Sequence, residues 1–424
     1  MRGFTALVVL LTLLFTVTAI ASEHDTFRPG QAAALVSVQR LLCTVESQSE
    51  QSWLERWRAF KPRVLARYDQ RSVILLSPED AREREAIERT LRHADSLLAM
   101  EWDRVPARDR RHATWAVDGA HPNRNRNAAD VEPLVITPGR WQSAQRLGLA
   151  HPEFRGQGEG AVTAVIDNRF DLSHPALSDV SIKFRQHIGF ESPGPAPVRR
   201  HGDDVVSLIW AKAPGNQPPM QGVAPRAELV ALSVHQPWTS NLLHALFLAE
   251  QQGADVINLS WLLAEVSPVL SDYLHYLAQR ANHDKGIALV AAAHPDPIAN
   301  IGLAAHPDVI VISATDHSGK LANVSWDKAV SLSAPSYLPI INYQGNDLKT
   351  FSKTSASTAI AAGVITLIRR ARPQLTVRQL KAGLHRYERC RARQQVLLDA
   401  VNILAWLDSS PECSSGRQVH ATRQ

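Results

Sequence analysis

The 424-residue chain is poor in cysteine, on which disulfide-rich domains and zinc modules depend. Its three cysteines, Cys43, Cys390 and Cys413, allow at most one disulfide within the chain. We expect Cys390 to pair with Cys413 and close a C-terminal loop, with three buried thiols as the alternative. None of the three has the spacing of metal ligands, so we predict neither a metal site nor a cofactor.

The chain also has only a small excess of charge of one sign. The 46 Lys and Arg residues are nearly balanced by 41 Asp and Glu residues, which gives a net charge of +5. The excess basic residues are spread over patches such as 104–111 and 369–372. A nucleic-acid-binding protein needs a concentrated basic face. The patches therefore predict solvated surface, and we expect no nucleic-acid partner.

Long apolar runs are lacking except at the N-terminus. Arg2 precedes an apolar stretch at 6–17, and small residues follow at 19–21. This pattern is typical of a secretory signal peptide, here 1–21, and the run is too short for a typical transmembrane helix. A retained anchor is the alternative. We predict an exported protein, secreted or periplasmic, with no membrane span once the signal is removed.

Residues 22–137 are predicted to form a smaller, mainly helical N-terminal region. Apolar residues recur there with helical spacing, and Trp53 and Trp57 lie one turn apart. Ser77-Pro-Glu-Asp80 has the capping serine, proline and acids of a helix start. The predicted helices cover residues 32–46, 51–67 and 77–100. A polar stretch at 121–130 is typical of a linker.

Residues 138–410 change to an α/β pattern, and 411–424 form a polar tail. Apolar runs rich in β-branched residues alternate with helical stretches, which predicts a doubly wound, mostly parallel sheet with helices on both faces. The predicted strands are 161–166, 229–234, 256–259, 288–293 and 309–314. The predicted helices are 203–212, 240–252, 269–284, 355–371 and 376–386.

Three polar residues are candidates for nucleophilic catalysis. Asp167 ends a buried strand, His201 opens a helix, and Ser355 begins a helix of small residues. A nucleophilic serine needs a base, histidine has a pKa near working pH, and an aspartate can fix the imidazole tautomer. The chain order Asp, His, Ser is one of three orders that build this triad. Alone, each residue could instead be a turn former or a helix cap.

The flanking sequences resemble the subtilisin-like serine peptidases. The shared motifs are Asp171-Leu-Ser-His-Pro175, His201-Gly202, Gly222-Val-Ala-Pro225, Asp255-Val-Ile-Asn258 and Ala362-Gly363. The resemblance covers about residues 140 to 386. It implies that family's fold, a triad of Asp167, His201 and Ser355, and a protein or peptide substrate. It also implies that residues 22–137 are a propeptide, with a retained accessory domain as the alternative.

The sequence departs from the family at the site itself. The family's oxyanion asparagine is replaced by His294-Pro295, and proline offers neither a side-chain donor nor an N–H. Thr354 and the backbone N–H of Ser355 remain as candidate donors, with His294 as a substitute. Where the family has Ser-x-Gly-Gly in a substrate-binding strand, this chain has Ser260-Trp-Leu-Leu263, so we expect Trp261 to reshape or fill the cleft. The other departures are Asn168-Arg169, Asp203-Asp204 and Lys353.

Two functions follow from these residues. The first, which we favour, is an exported serine endopeptidase that acts through an acyl-enzyme. The second is a pseudopeptidase that binds peptides or a protein partner through the same fold. An esterase or amidase has no specific support, because the lipase motif G-x-S-x-G is absent around Ser355. No carboxylate cluster in the sequence maps to a calcium site of the family, so we do not predict one.

Overall fold

The computed structural model describes residues 35–105 except 95, then 147–190, 200–212, 221–293, 302–315, 321, 329–336, 338–341, 348–392 and 398–409. The signal peptide, the linker at 121–130 and the tail at 411–424 are predictions that lie outside these ranges. The described residues form a small N-terminal domain and a larger α/β domain.

The N-terminal domain is built on an antiparallel sheet, so the prediction of a mainly helical region is wrong. Its strands are β1 (Leu35–Glu46), β2 (Arg63–Tyr68), β3 (Arg71–Leu76) and β4 (Leu97–Val105), in the order β2-β3-β1-β4. Two helices, α1 (Glu50–Arg56) and α2 (Ala81–Leu91), complete it. Helix α2 begins at Ala81, four residues after the predicted cap Ser77, and its cap is Asp80, whose carboxylate accepts from the Glu83 N–H at 2.8 Å.

The helical prediction failed because this sheet is buried on both faces. Leu41, Cys43 and Val45 of β1 belong to the core of the N-terminal domain, together with Trp53 of α1. The intervening Leu42 instead packs into the core of the α/β domain. A strand covered on both sides loses the alternation of apolar and polar residues, and its apolar run can be mistaken for a buried helix.

The α/β domain contains a seven-stranded parallel sheet, which confirms the predicted fold class. Its order is β11-β10-β9-β8-β5-β7-β6. The strands are β5 (Val162–Asp167), β6 (Ile182–Ile188), β7 (Glu228–Val234), β8 (Val256–Leu259), β9 (Ala288–Ala292), β10 (Ile310–Thr315) and β11 (Val330–Pro335). The sheet confirms all five predicted strands, whose bounds differ by one residue at most. Strand β6 was not predicted, and β11 was indicated only by the resemblance of residues 332–335 to a late strand of the family.

Six helices of the α/β domain can be described. They are α3 (His201–Trp210), α4 (Thr239–Gln251), α5 (Pro268–Gln279), α6 (Lys353–Ala371), α7 (Val377–Ala392) and α8 (Ala400–Ser409), and a short helical turn at Ala281–Asp284 follows α5. Helix α3 packs with α6, and α4 packs with α5. A hairpin of β12 (Leu338–Ile341) and β13 (Leu348–Phe351) leads into α6.

Helix α6 is the central helix of the α/β domain, because its small side chains allow close packing. It contacts α3 and strands β8 to β11, and nearly all of its residues from Ala356 to Ile368 are buried. Gly363 shows how close this packing is: a Cβ there would lie 2.7 Å from the Val223 Cβ. The helix is therefore buried along most of its length, whereas its first residue, Lys353, is exposed.

Carboxylates of the N-terminal domain cap two helices of the α/β domain. Asp103 on β4 is fully buried and accepts from the Ser240 N–H at 2.9 Å and the Ser240 hydroxyl at 2.7 Å, in the first turn of α4. The Arg40 Nε lies 2.9 Å from the same carboxylate. Glu101 accepts from the Val269 N–H at 3.2 Å, in the first turn of α5, and burial raises the pKa of Glu101. Both contacts satisfy N–H groups that a helix leaves unpaired.

Aromatic rings fill the rest of this interface. Tyr68 at the end of β2 packs 4.9 Å from the Tyr273 ring and 5.3 Å from the Tyr276 ring, and its hydroxyl donates to Asp272 at 2.9 Å. Burial, followed by the Asp272 contact, raises the pKa of Tyr68. The N-terminal sheet therefore lies against α4 and α5 with both apolar and polar contacts.

The cysteines are divided between the two domains. Cys43 is a buried free thiol in β1, and burial raises its pKa to about 12. Cys390 near the end of α7 is disulfide-bonded. Its predicted partner, Cys413, lies outside the described residues. No helix within the described ranges has both the length and the apolar character needed to cross a membrane.

Candidate active site

Asp167 is held at the carboxyl end of β5, where the parallel sheet leaves room for a site. Its side chain is fully buried. The backbone N–H of Asn168 donates to Asp167 Oδ1 at 2.7 Å. Strands β7 and β8 flank β5 on either side, so the carboxylate stands at the middle of the sheet rather than at an edge.

His201 is the first residue of α3 and faces Asp167. Its Nδ1 lies 2.9 Å from both carboxylate oxygens. A carboxylate accepts hydrogen bonds, so the proton of the neutral imidazole belongs on Nδ1 and Nε2 keeps its lone pair. The edge of the imidazole meets the Phe351 ring, with centroids 5.3 Å apart and planes at 79°. The side chain is 18% exposed, so one side of the ring faces solvent.

Ser355 lies in the first turn of α6 and is paired with Ser260. The Ser355 hydroxyl donates to the Ser260 carbonyl at 2.8 Å, and the Ser260 hydroxyl donates to the Ser355 carbonyl at 3.1 Å. Asn258 also bonds to the Ser260 hydroxyl, at 2.9 Å. The hydroxyl proton of Ser355 is thus directed to Ser260. To give that proton to a base, the Ser355 O–H must first turn away from Ser260.

The other predicted site residues have separate positions. Thr354 is buried beside Ser355, and its carbonyl accepts from Thr358 at 2.6 Å. Trp261 is only 7% exposed, and its indole N–H donates to the Ile166 carbonyl at 2.7 Å. The indole thus lies against the end of β5, next to Asp167, where it supports the strand. His294 lies outside the described residues.

Lys353 adopts a left-handed backbone at the position where the resembled family has glycine. Its φ is 69°, and its carbonyl accepts from the hydroxyls of Ser336 and Ser357 at 3.1 and 3.4 Å. This conformation costs a residue with a side chain about 1–2 kcal/mol. The left-handed turn before Ser355 is therefore present although lysine occupies the position where the family has glycine, which adopts this conformation without strain.

Two adjacent acids follow His201 in the first turn of α3. Asp203 is fully buried and accepts from the Asp171 N–H at 2.9 Å and the Leu172 N–H at 3.3 Å. Burial raises the pKa of Asp203 to about 6, against the opposing effect of these N–H groups. Asp204 is also buried, and the Lys349 Nζ lies 2.8 Å from its Oδ1. The sequence marked both acids as departures, but it gave no sign of these contacts.

The described part of the chain contains no group of three or more His, Cys, Asp or Glu residues that could hold a metal ion. Together, Asp167, His201 and Ser355 offer an oriented base and a hydroxyl at a helix N-terminus.

Comparison with known proteins identifies the family of the larger domain. Residues 158–396 match the model of the subtilase family. The minor extracellular protease Epr of Bacillus subtilis is 29% identical over 195 residues, which cover 44% of this chain and 29% of that protein. An intracellular serine protease of Paenibacillus polymyxa is 26% identical over 228 residues, covering 50% of this chain and 68% of that protein.

A solved structure shares the fold. It is fervidolysin from Fervidobacterium pennivorans, a keratinolytic enzyme related to subtilisin. The TM-score is 0.59 at 17% identity, and the alignment covers 84% of this chain and 58% of that one. The chain therefore spans less than two thirds of the length of both fervidolysin and the Bacillus protein.

Proposed function

Because the chain belongs to the subtilase family, we propose that it is a serine endopeptidase with a triad of Asp167, His201 and Ser355. The observation that carries this proposal is the contact of His201 Nδ1 with both oxygens of Asp167, at 2.9 Å each. It fixes the tautomer in which Nε2 can act as a base. The substrate is a peptide bond in a protein or a peptide.

In the first half of the reaction, Ser355 Oγ attacks the carbonyl carbon while His201 Nε2 takes its proton. The tetrahedral intermediate collapses, the C–N bond breaks, and the proton passes from Nε2 to the leaving amine. A water molecule then attacks the carbonyl carbon of the acyl-enzyme while His201 Nε2 takes its proton, and that proton passes to Ser355 Oγ as the acyl group leaves. The products are a free carboxylate, a free amine and the restored Ser355 hydroxyl. Asp167 remains ionised and stabilises the imidazolium formed in each half.

The start of α6 is the candidate oxyanion site. Ser352 caps this helix without a side-chain hydrogen bond, so its own hydroxyl does not occupy the first-turn N–H groups. The N–H of Ser355 and the Thr354 hydroxyl are the proposed donors, helped by the positive end of the helix dipole. The family's asparagine is missing, and the loss of one such donor typically lowers the rate about 10²- to 10³-fold. We therefore expect a slow enzyme.

Fluorophosphonate labelling tests the activation of Ser355. We expect the purified wild type to be labelled, and the Ser355→Ala and His201→Ala variants to remain unlabelled. Ser409→Ala is the control, because Ser409 is an exposed serine at the end of α8 whose hydroxyl donates to the Ala405 carbonyl at 2.6 Å. That variant should be labelled like the wild type. Labelling of Ser355→Ala would place the reactive group elsewhere.

A second candidate is a pseudopeptidase that binds peptides through the same fold. The hydrogen bond from the Ser355 hydroxyl to the Ser260 carbonyl favours it, because that proton is not directed to the base. This candidate predicts that folded wild type, freed of its N-terminal domain, remains unlabelled. Binding of peptides would then be equal for wild type and Ser355→Ala.

We also propose that the N-terminal domain is a propeptide and that the protein is exported. The contacts of Asp103 and Glu101 with the first turns of α4 and α5 support an intramolecular partner that leaves after cleavage. The extracellular Bacillus relative supports export, as does the predicted signal peptide, although the Paenibacillus relative is intracellular.

Self-processing tests the propeptide role. The purified precursor should shorten by cleavage between residues 100 and 140, after the end of β4, while Ser355→Ala should keep its full length. Gel electrophoresis and N-terminal sequencing of the product measure this. Equal shortening of both variants would assign the cut to another protease. A wild type that is labelled by fluorophosphonate yet stays intact would show a retained accessory domain.

A further inference from the structure

The first turn of α3 contacts the chain segments on both sides of His201. On one side lies the loop after Asp167, and on the other lies the strand that leads to Ser355. The inference below rests on the proposed function, because it assigns a role in bringing those residues together.

The contact with the loop after Asp167 is close. Asp203 accepts from the backbone N–H groups of Asp171 and Leu172 at 2.9 and 3.3 Å. Gly202 lies against the same loop, since a Cβ on it would be 2.4 Å from the Arg169 carbonyl oxygen. These contacts hold the loop in place behind the carboxylate that orients His201. This side of the turn is therefore fixed by backbone contacts.

The contact with the strand before Ser355 consists of an ion pair and a ring. The Lys349 Nζ lies 2.8 Å from Asp204 Oδ1, and the two side chains are 40% and 7% exposed. Two residues further along β13, the Phe351 ring meets the edge of the His201 imidazole. The chain then turns at Lys353 and enters α6. Strand β13 thus approaches α3 just before α6 begins.

We propose that Asp204 and Lys349 are positioning residues for the reaction, and that their ion pair fixes the distance between the base His201 and the nucleophile Ser355. The pair is partly shielded from water, so its attraction is stronger than that of an exposed pair. It connects two elements whose relative shift would directly change the gap between His201 Nε2 and Ser355 Oγ. A shift of about 1 Å at such a gap can lower a rate about a hundredfold.

Charge at this pair should also act on His201. Residues three apart on a helix are neighbours, so Asp204 lies beside His201 on α3. Among the described residues, the other charged groups near this turn are Asp167 on β5, Asp203 and Arg200 at the start of α3, Asp171, which lies 2.6 Å from Arg200, and Lys349 on β13. An uncompensated charge at that separation is expected to shift the titration of His201 by about half to one pH unit.

The test compares Lys349→Met, Asp204→Asn, the double variant and the conservative Lys349→Arg. The measurement is the pH profile of fluorophosphonate labelling and of peptide hydrolysis, with kcat and KM determined separately. Lys349→Met should lower kcat about tenfold to a hundredfold with little change in KM, and Lys349→Arg should recover most of it. The acid limb should move to higher pH in Lys349→Met and to lower pH in Asp204→Asn.

The double variant separates the effect of charge on the titration of His201 from the effect on the distance between His201 and Ser355. Its acid limb should return to that of the wild type, because no net charge is left at the pair, whereas kcat should stay low because the connection is gone. A residue that only stabilises the fold would lower the amount of active protein without moving the acid limb in opposite directions. Wild-type kcat and pH profile in all variants would overturn the proposal.

Failure of the proposed function gives a different result. In that case the folded wild type neither reacts with the probe nor cuts peptides. The pair is then tested by NMR titration of the His201 imidazole, which needs no turnover. Opposite shifts in Lys349→Met and Asp204→Asn would still support the contact with His201, and equal titration curves would overturn it.

Discussion

Replacing Asp167 with asparagine is expected to slow acylation of Ser355 about ten-thousandfold. The Asp167 carboxylate receives His201 Nδ1 at 2.9 Å on both oxygens, so it only accepts hydrogen bonds. An asparagine amide can offer its NH₂ group to Nδ1 instead. The imidazole would then carry its proton on Nε2, the atom that must accept the proton from Ser355. The measurement is the rate constant of fluorophosphonate labelling, taken at a pH high enough that the rate no longer rises with pH.

The control for this variant is Asp179→Asn. Asp179 is 69% exposed, and the Lys212 Nζ lies 3.9 Å from its carboxylate, so its loss should leave the labelling rate within a factor of two. Far-UV circular dichroism should show that both variants are folded. Equal labelling rates for Asp167→Asn and wild type would remove Asp167 from the triad.

Replacing Gly202 with alanine is expected to lower activity more than a hundredfold and stability by about 1–3 kcal/mol. The added Cβ would lie 2.4 Å from the Arg169 carbonyl oxygen and 2.7 Å from the Phe170 ring. The first of these is backbone, so the loop after Asp167 or the start of α3 must move. Either movement separates Asp167 from His201. Labelling rate and thermal unfolding measure the two effects.

Gly156→Ala is the matched control for this substitution. A Cβ at Gly156 would meet nothing within 4 Å, and this glycine does not have a positive φ. Its replacement should leave activity unchanged and stability equal or slightly higher, because alanine restricts the unfolded chain. If Gly202→Ala kept wild-type activity, the close approach of the loop to α3 would not matter for the site.

The sequence predicted best those strands and helices whose own residues specify their structure. Strand β5 is a buried, mostly apolar run that ends at Asp167, so its position and the placement of its acid could be predicted together. Helix α6 was predicted from its small residues, and the structure adds only the two preceding residues, Lys353 and Thr354. Such elements are specified by their own residues and need no distant partner to be recognised.

The sequence was least informative where the partner of a residue lies far along the chain. The apolar run of β1 has two covered faces, one of which is covered by the other domain, so its local pattern was ambiguous. Lys349 and Asp204 were visible as charges, but only the fold places β13 against α3. The same holds for Trp261, whose indole N–H donates to the Ile166 carbonyl, a contact that the sequence did not indicate.

The order of the sheet has a consequence for the rate at which the protein folds. Strand β5 pairs with β7 and β8, and β8 pairs with β9. In each of these parallel pairs, a long crossover segment of the chain separates the two strands. Contacts of that kind form slowly, because the entropy of closing large loops is lost before the pairing is gained. The strands β2 and β3 are instead joined by a tight hairpin. The β2–β3 hairpin of the N-terminal sheet is thus able to form while the parallel sheet is still incomplete.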